Sequence, residues 1–161
     1  MLDNESQRVS RILITLGGHA GGRTAKLAAA IEAGLLSVDA AIEVRSKPAL
    51  ETAADDVLWA DGLILGTPEH FGYMSGALKD FFDRTYYALE ERSVGKPWAL
   101  FVSAGSDGRG TVSAVQRIVL GYRWTQIAEA LVIVGEPDES ALLRCHELGA
   151  TMAAGLDAGV F

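Results

Sequence analysis

The chain has 161 residues, 49% hydrophobic and 22% charged, which is ordinary globular composition and enough for one domain with a substantial core. Its formal net charge of −7 opposes nucleic acid as a partner, though local backbone dipoles can still hold a single phosphate. No apolar run reaches membrane-span length, and the one cysteine, Cys145, excludes an internal disulfide and a cysteine-rich metal or iron–sulfur site.

Residues 1–10 are polar and read as a loose arm with no export signal, so a cytoplasmic protein with one domain over 11–161 is expected. Arg11–Leu16 is a short β-rich run that ends at Gly17-Gly18. Thr24–Leu36 carries Leu27, Ile31 and Leu35 at helical spacing. Ala41–Arg45 alternates as an edge strand does, with Pro48 as its stop. One or two helical turns are expected over Glu51–Ala60, with Val57 and Leu58 inward. Gly62–Gly66 is a second strong strand, ended by Pro68. Gly76–Leu89 reads as a helix with Leu78, Phe81, Phe82 and Thr85 inside and Asp83 and Arg84 as surface or bracing charges. Trp98–Ser103 is a buried strand, Thr111–Leu120 a helix, and Ala130–Gly135 the last strand. Ser140–Ala154 closes the chain as a helix with Leu142, Leu143, Leu148 and Met152 on its apolar side and Cys145 inert. Tyr122 and Trp124 are candidates for a subunit contact; Trp59 and Trp98 are expected to pack, and His146 to be surface or structural.

Five strands alternate with helices, and three of the runs are apolar throughout, as when helices cover both faces of a parallel sheet. Such sheets bind ligands beyond the carboxyl ends of their strands, where strand order reverses. Three loops fall there. Gly17–Thr24 joins a buried strand to a helix start and suits a phosphate, with backbone amides, Thr24 and Arg23 as donors; it fits neither the Walker register nor Gly-x-Gly-x-x-Gly. Its plain alternative is a flexible turn. Thr67–Gly76 offers Phe71, Tyr73 and Met74 as apolar surface, with Ser75 as an N-cap; alternatively Phe71 and Met74 fold into the core. Ser103–Gly110 is rich in small residues that let a planar ring lie against backbone, or else is a solvent turn.

Residues 60–85 carry Gly66-Thr67-Pro68 followed by Phe71-Gly72-Tyr73-Met74-Ser75-Gly76. This segment resembles the central part of the flavodoxin-like NAD(P)H-dependent FMN reductases and the WrbA-type quinone oxidoreductases. The resemblance implies an α/β three-layer sandwich: a five-stranded parallel sheet of order 2-1-3-4-5 with helices on both faces. It implies non-covalent FMN. His19, Gly21, Gly22, Arg23 and Thr24 would hold the phosphate. Thr67, Pro68, Glu69, His70, Phe71, Gly72 and Tyr73 would meet the ring, and Ser103, Ala104, Gly105, Ser106 and Gly108 would flank it. The flavin carries the chemistry, so no catalytic side chain and no metal is expected.

One departure stands out. The family's phosphate loop usually has Ser or Thr at its first and third positions, where this chain has His19 and Gly21; only the final Thr24 is kept. Either Arg23, His19 and backbone amides compensate, or FMN binds weakly. The expected activity passes electrons from NAD(P)H through FMN to a quinone or similar small acceptor, in a homodimer or higher homo-oligomer. The alternatives are a flavodoxin-type carrier, favoured by the acidic charge, and a scaffold that has lost flavin.

Overall fold

The computed structural model describes residues 7–161, so most of the expected arm over 1–10 lies outside the described residues. Ser10, assigned to that arm, is the first residue of β1 (Ser10–Leu16) and pairs with Ile42. The chain continues through α1 (Arg23–Ser37), β2 (Ile42–Pro48), a 3-10 turn (Ala49–Glu51), α2 (Ala54–Trp59), β3 (Gly62–His70), β4 (Tyr73–Met74), α3 (Gly76–Leu89), β5 (Pro97–Ala104), α4 (Arg109–Tyr122), β6 (Thr125–Gln126), β7 (Leu131–Val134) and α5 (Glu139–Asp157).

The parallel sheet runs β2-β1-β3-β5, with β6 and β7 both along the far edge of β5. This is the expected order, with two differences from five simple strands. The last strand is split: β6 pairs with Pro97–Trp98 and β7 with Phe101–Ala104, while the chain leaves the edge over residues 128–130, after Ile127 N donates to Trp98 O. Ile127 and Ala128 turn onto the core instead, and Gln126 Nε2 donates to Ala128 O across the break. Pro68 does not end β3. It stays in register with Ser103 on one side; on the other, pairing with β1 has already stopped at Gly66, so the missing N–H leaves no gap in a ladder. β3 runs on to His70 and returns as β4 in an antiparallel hairpin.

Alternating side chains build two cores, because successive residues of a strand point to opposite faces. Leu13, Leu63, Leu65, Leu100 and Val102 face α2, α3 and α4, where they meet Val57, Leu78, Phe81, Phe82, Val115 and Val119. Ile12, Ile14, Ile64, Ala99 and Phe101 face α1 and α5, where they meet Leu27, Ile31, Leu35, Cys145, Leu148 and Met152. Cys145 is fully buried, and burial pushes its thiol up to about 11, so it carries no thiolate at neutral pH.

α5 departs from its expected face. Leu142 and Leu143 are exposed, and Ala141, Cys145, Leu148, Gly149, Met152 and Ala153 are buried. The reason is proximity to α1. A Cβ at Gly34 would lie 1.9 Å from His146 O, and one at Gly149 would lie 2.0 Å from Ile31 O. Backbones this close admit only small residues at the contact, which turns the two leucines out.

Tyr122 and Trp124 are core residues, not a subunit face. Tyr122 donates to Phe82 O at 2.8 Å, lies 3.0 Å from Thr85 Oγ1, and burial raises its hydroxyl to about 12. Trp124 Nε1 donates to Ser93 Oγ at 2.8 Å. Tyr122→Phe leaves a buried carbonyl short of a donor and is expected to cost about 1 kcal/mol, read as a thermal midpoint lower by roughly 3 °C. An unchanged midpoint would mean that the bond contributes nothing net.

Arg84 braces the link after β2 by donating to the carbonyls of Ala49 and Thr52. Trp59 packs beneath the guanidinium of Arg45, 4.0 Å from its ring centre. His146 is half-buried. Among the described residues, no helix is long and apolar enough to cross a membrane, and no cluster of three His, Cys, Asp or Glu side chains is placed to hold a metal.

Candidate functional site

The three loops meet at the carboxyl ends of β1, β3 and β5. The first leaves β1 at Gly17, whose N–H donates to Gly66 O at 2.7 Å. Close approach dictates glycine here: a Cβ at Gly17 would lie 2.5 Å from Ser75 Oγ, and one at Gly18 would lie 2.9 Å from Thr24 Cβ. α1 begins with Gly22 as its N-cap, with no side-chain cap and no acidic residue in its first turn. The first intrahelical bond runs from Lys26 N to Gly22 O, so the N–H groups of Arg23, Thr24 and Ala25 precede the helix ladder. The positive end of this 15-residue helix thus has no side-chain cap.

The second loop is a hairpin. Glu69 pairs with Met74 and His70 with Tyr73, leaving Phe71-Gly72 as a two-residue turn with φ of 54° and 71°. Positive φ at both positions is the turn whose twist matches the strands. Gly72 adopts it freely, but Phe71 does so at a conformational cost while fully exposed. Below the hairpin, Thr67 is buried; its hydroxyl donates to Pro68 O and accepts from Ser75 N. Ser75 Oγ in turn caps α3 by accepting from Leu78 N at 3.2 Å, the expected N-cap.

The third loop leads into α4, where Asp107 Oδ1 accepts from Arg109 N at 3.0 Å, and Glu69 reaches across from the hairpin to hold the loop just ahead of it. The Glu69 carboxylate accepts from Ser106 N, Ser106 Oγ and Gly108 N, each at 2.8 Å. The Ser106 amide and hydroxyl, with the Gly108 amide, hold the Glu69 carboxyl below its ordinary value. Two of the chain's own carboxylates, Asp107 and Glu69, thus serve the approach to α4, whereas no side chain caps α1.

Between the loops lies a cleft of about 400 Å³. Of the residues singled out in the sequence, it brings together His19, Gly22, Arg23, Thr24, Pro68, Glu69, His70, Ser103, Ala104 and Gly105. The rest stand off its wall. Thr67 lies beneath, Phe71, Gly72 and Tyr73 form the exposed hairpin tip, and Ser106 and Gly108 are bonded to Glu69. Gly21 lines a separate cavity on the β2 side of the first loop. Of the two alternatives for the hairpin, Met74 folds into the core and Phe71 does not.

One cleft residue and one partner of a cleft residue were not singled out in the sequence. Gly18 lines the cleft, and the Gly17-Gly18 pair was the available signal. Glu136 accepts from Arg23 Nε at 3.1 Å and from Lys26 Nζ at 2.7 Å, which holds its carboxyl below the usual range. It lies 113 residues from Arg23 in sequence, with no local signal. A larger, more open depression of about 670 Å³ runs between α4 and β7, away from the open helix start.

A profile of the family described as NADPH-dependent FMN reductase matches residues 10–138. The flavodoxin of Aquifex aeolicus (strain VF5) is 32% identical over 149 residues, covering 82% of this chain and 80% of that protein. An NAD(P)H dehydrogenase (quinone) of Acidithiobacillus ferrooxidans is 33% identical over 88 residues, 54% of this chain and 42% of that protein. Among solved structures, a flavodoxin from the domain Archaea superposes with a TM-score of 0.77 at 22% identity, covering 91% of this chain and 98% of that one, which shows a flavodoxin-like fold. Since the profile spans most of the described residues, all three loops included, the chain belongs to the NADPH-dependent FMN reductase family.

Proposed function

We propose that the cleft holds FMN non-covalently and that the protein passes electrons from NAD(P)H through it to a quinone or similar small acceptor. The observation that carries this reading is the uncapped start of α1 on the wall of a cleft whose opposite wall is braced by Glu69. The residues present fit the group. Helix-start amides and Thr24 suit its phosphate, and the cleft volume falls within the ~300–1,000 Å³ of small-molecule sites. Ala104 and Gly105 allow a ring to approach backbone. Bound there, flavin would supply hydride acceptance from the nicotinamide and electron delivery to the acceptor.

The chain's own part is positioning. Glu69 ties the hairpin to the third loop, so the two walls of the ring end form one unit. Arg23 lines the phosphate end while Glu136 offsets its charge. His70 stands in solvent at the mouth, where it shapes access without acting as an acid. Assembly as a cytoplasmic homo-oligomer belongs to the same reading, and its mass is checked by light scattering.

A second reading, an electron carrier for a protein partner, draws on the full-length similarity to the Aquifex flavodoxin and on the net charge of −7. Mixing FMN-loaded protein with NADPH and with NADH under nitrogen separates them. The reductase reading expects the yellow absorbance to bleach with at least one donor and to return when a benzoquinone is added. A protein that stays yellow with both donors, yet bleaches with dithionite, is a carrier. A protein that retains no flavin supports neither reading.

A further inference from the structure

The depression of about 670 Å³ between α4 and β7 is one end of a longer groove. Val112, Ser113 and Gln116 of α4 line it on one side, and Gln126, Ile127 and Val132 of the sheet edge line it on the other. Ser113, Gln116 and Gln126 also line a second depression of about 580 Å³, which runs on past Arg117 and Leu120 to Trp124. The groove therefore follows α4 from Arg109 to Leu120. Its upper end adjoins the third loop: Gly105 lines the flavin cleft, and Asp107, two residues on, lines the groove. Gly105, Ser106 and Asp107 are all exposed, so the border between cleft and groove is open to solvent. α4 also starts against the hairpin, where Thr111 Oγ1 donates to Tyr73 O and a Cβ at Gly110 would run into Gly72 O.

The charge of α4 stands against that of the chain. In a protein of net charge −7, α4 carries Arg109 and Arg117 and no acidic residue, whereas every other α-helix holds at least one. The Arg109 side chain is 89% exposed, and the carboxylate nearest it, Asp107, is 3.9 Å away, a pairing that contributes little in water. Arg117 is exposed and makes no ion pair among the described residues. Two carboxylates line the groove as well. Asp107 accepts from the Arg109 amide at 3.0 Å, and Glu129 stands exposed on the sheet side. The helix side thus offers two guanidinium groups whose backbone positions lie about 12 Å apart along the axis, with an apolar floor between them. A flat base with a phosphate at each end of its sugar has the matching chemistry, because a guanidinium presents a planar fork of donors to phosphate oxygens.

We propose that this groove takes the adenosine half of NADPH, and that Arg117 binds the 2′-phosphate by which NADPH differs from NADH. The nicotinamide end would reach the flavin ring across the exposed third loop, with Arg109 at the border facing the pyrophosphate. The adenine would lie against Val112, Ile127 and Val132, and Glu129 would meet its amino group. The hydride step rests on the flavin reading proposed above; the occupant of the groove does not. A cleft of about 400 Å³ already given to flavin leaves the adenosine half to a separate surface, and the upper depression alone falls within the ~300–1,000 Å³ of small-molecule sites.

Titration of the FMN-loaded full chain with adenosine 2′,5′-bisphosphate and with 5′-AMP, followed through the backbone amide resonances, tests it. The bisphosphate is expected to bind at least tenfold more tightly than 5′-AMP, with the shifts centred on residues 109–117 and 126–132. Arg117→Ala should bring the two ligands within threefold of each other, and Arg109→Ala should weaken both by at least threefold. Both side chains are exposed, so neither variant threatens the fold. A preference below tenfold, a preference that stays above threefold in Arg117→Ala, binding that Arg109→Ala leaves unmoved, or shifts centred on residues 17–24 overturns the proposal. The same titration of flavin-free chain separates the two readings. A chain that takes up no FMN yet prefers the bisphosphate through Arg117 loses the flavin reading alone, whereas one that retains FMN and shows no preference loses this proposal alone.

Discussion

Replacing Glu69 with Ala is expected to weaken FMN binding by about tenfold or more while leaving the thermal midpoint of the flavin-free protein nearly unchanged. The side chain is half-buried and belongs to neither hydrophobic core, so its loss removes little from the fold. What it removes is order in the site. One carboxylate accepts three hydrogen bonds from Ser106 and Gly108, 37 and 39 residues away, in the loop just ahead of α4. Without it, Thr111 Oγ1 donating to Tyr73 O still joins α4 to the hairpin, but the bonds to Ser106 and Gly108 are lost, and binding must then order the loop as well as fill the cleft. Glu69→Gln keeps the acceptor oxygen and should recover part of the affinity. The same contacts set a pH dependence. Because the folded carboxyl lies below its ordinary value of 4.5, the clamp is complete above that value and is lost as the pH falls through the lower folded value. FMN affinity should therefore be flat from neutrality to about pH 5 and drop below it, and Glu69→Gln should flatten that drop. A wild-type protein whose FMN affinity is unchanged by Glu69→Ala would remove Glu69 from any role in shaping the cleft.

Local chemistry made the outline of this molecule legible. Strand, glycine-rich loop and helix start follow one another over Arg11–Leu36 and again over Trp98–Leu120, and parallel connection puts both loops at one edge whatever the details of packing. The same logic located Pro68 and His70 beside Gly22 and Thr24. What could not be read was that a carboxylate from the hairpin holds the third loop. Both loops look alike in sequence, and only the fold brings Glu69 onto the second. Pro68 misled as a strand stop because a missing N–H matters only where a neighbour would accept it, and β1 ends first. Of the three apolar residues expected at the surface of that loop, Phe71 is there, because the tight turn it shares with Gly72 leaves its side chain no inward direction, whereas Met74, back on the strand, points into the core. Glu136 gave no signal at all, since an ion pair across 113 residues is a property of topology.

The closing helix shows how volume misleads when the contact is made by absence. Leu142 and Leu143 attract attention as the largest apolar residues there, yet the contact with α1 is made by Gly34 and Gly149. Gly149→Ala should follow from this as a large effect of a single methyl. In an unconstrained helix interior that change would stabilise by roughly 1 kcal/mol. Here the new Cβ meets Ile31 O, a backbone atom that no rotamer change can move, so α1 and α5 must separate along a length that buries Ile31, Leu35, Cys145 and Met152. The expected cost is about 3 kcal/mol, a thermal midpoint lower by roughly 10 °C. Thr151→Ala, exposed on the same helix, should stay within about 0.5 kcal/mol. Gly34→Ala should cost a similar amount, because its Cβ meets His146 O in the same way. The double variant carries the decisive signature. Once one methyl has parted the helices, the second finds space already made, so the two losses should sum to clearly less than additive. A fully additive pair would mean that each clash relaxes locally and that the α1–α5 spacing is not a shared constraint. α1 also carries the open phosphate-binding end, so a shift of the whole helix should reach the cleft: FMN affinity of Gly149→Ala, measured well below its midpoint, should fall by about tenfold as the amides of Arg23, Thr24 and Ala25 leave their positions.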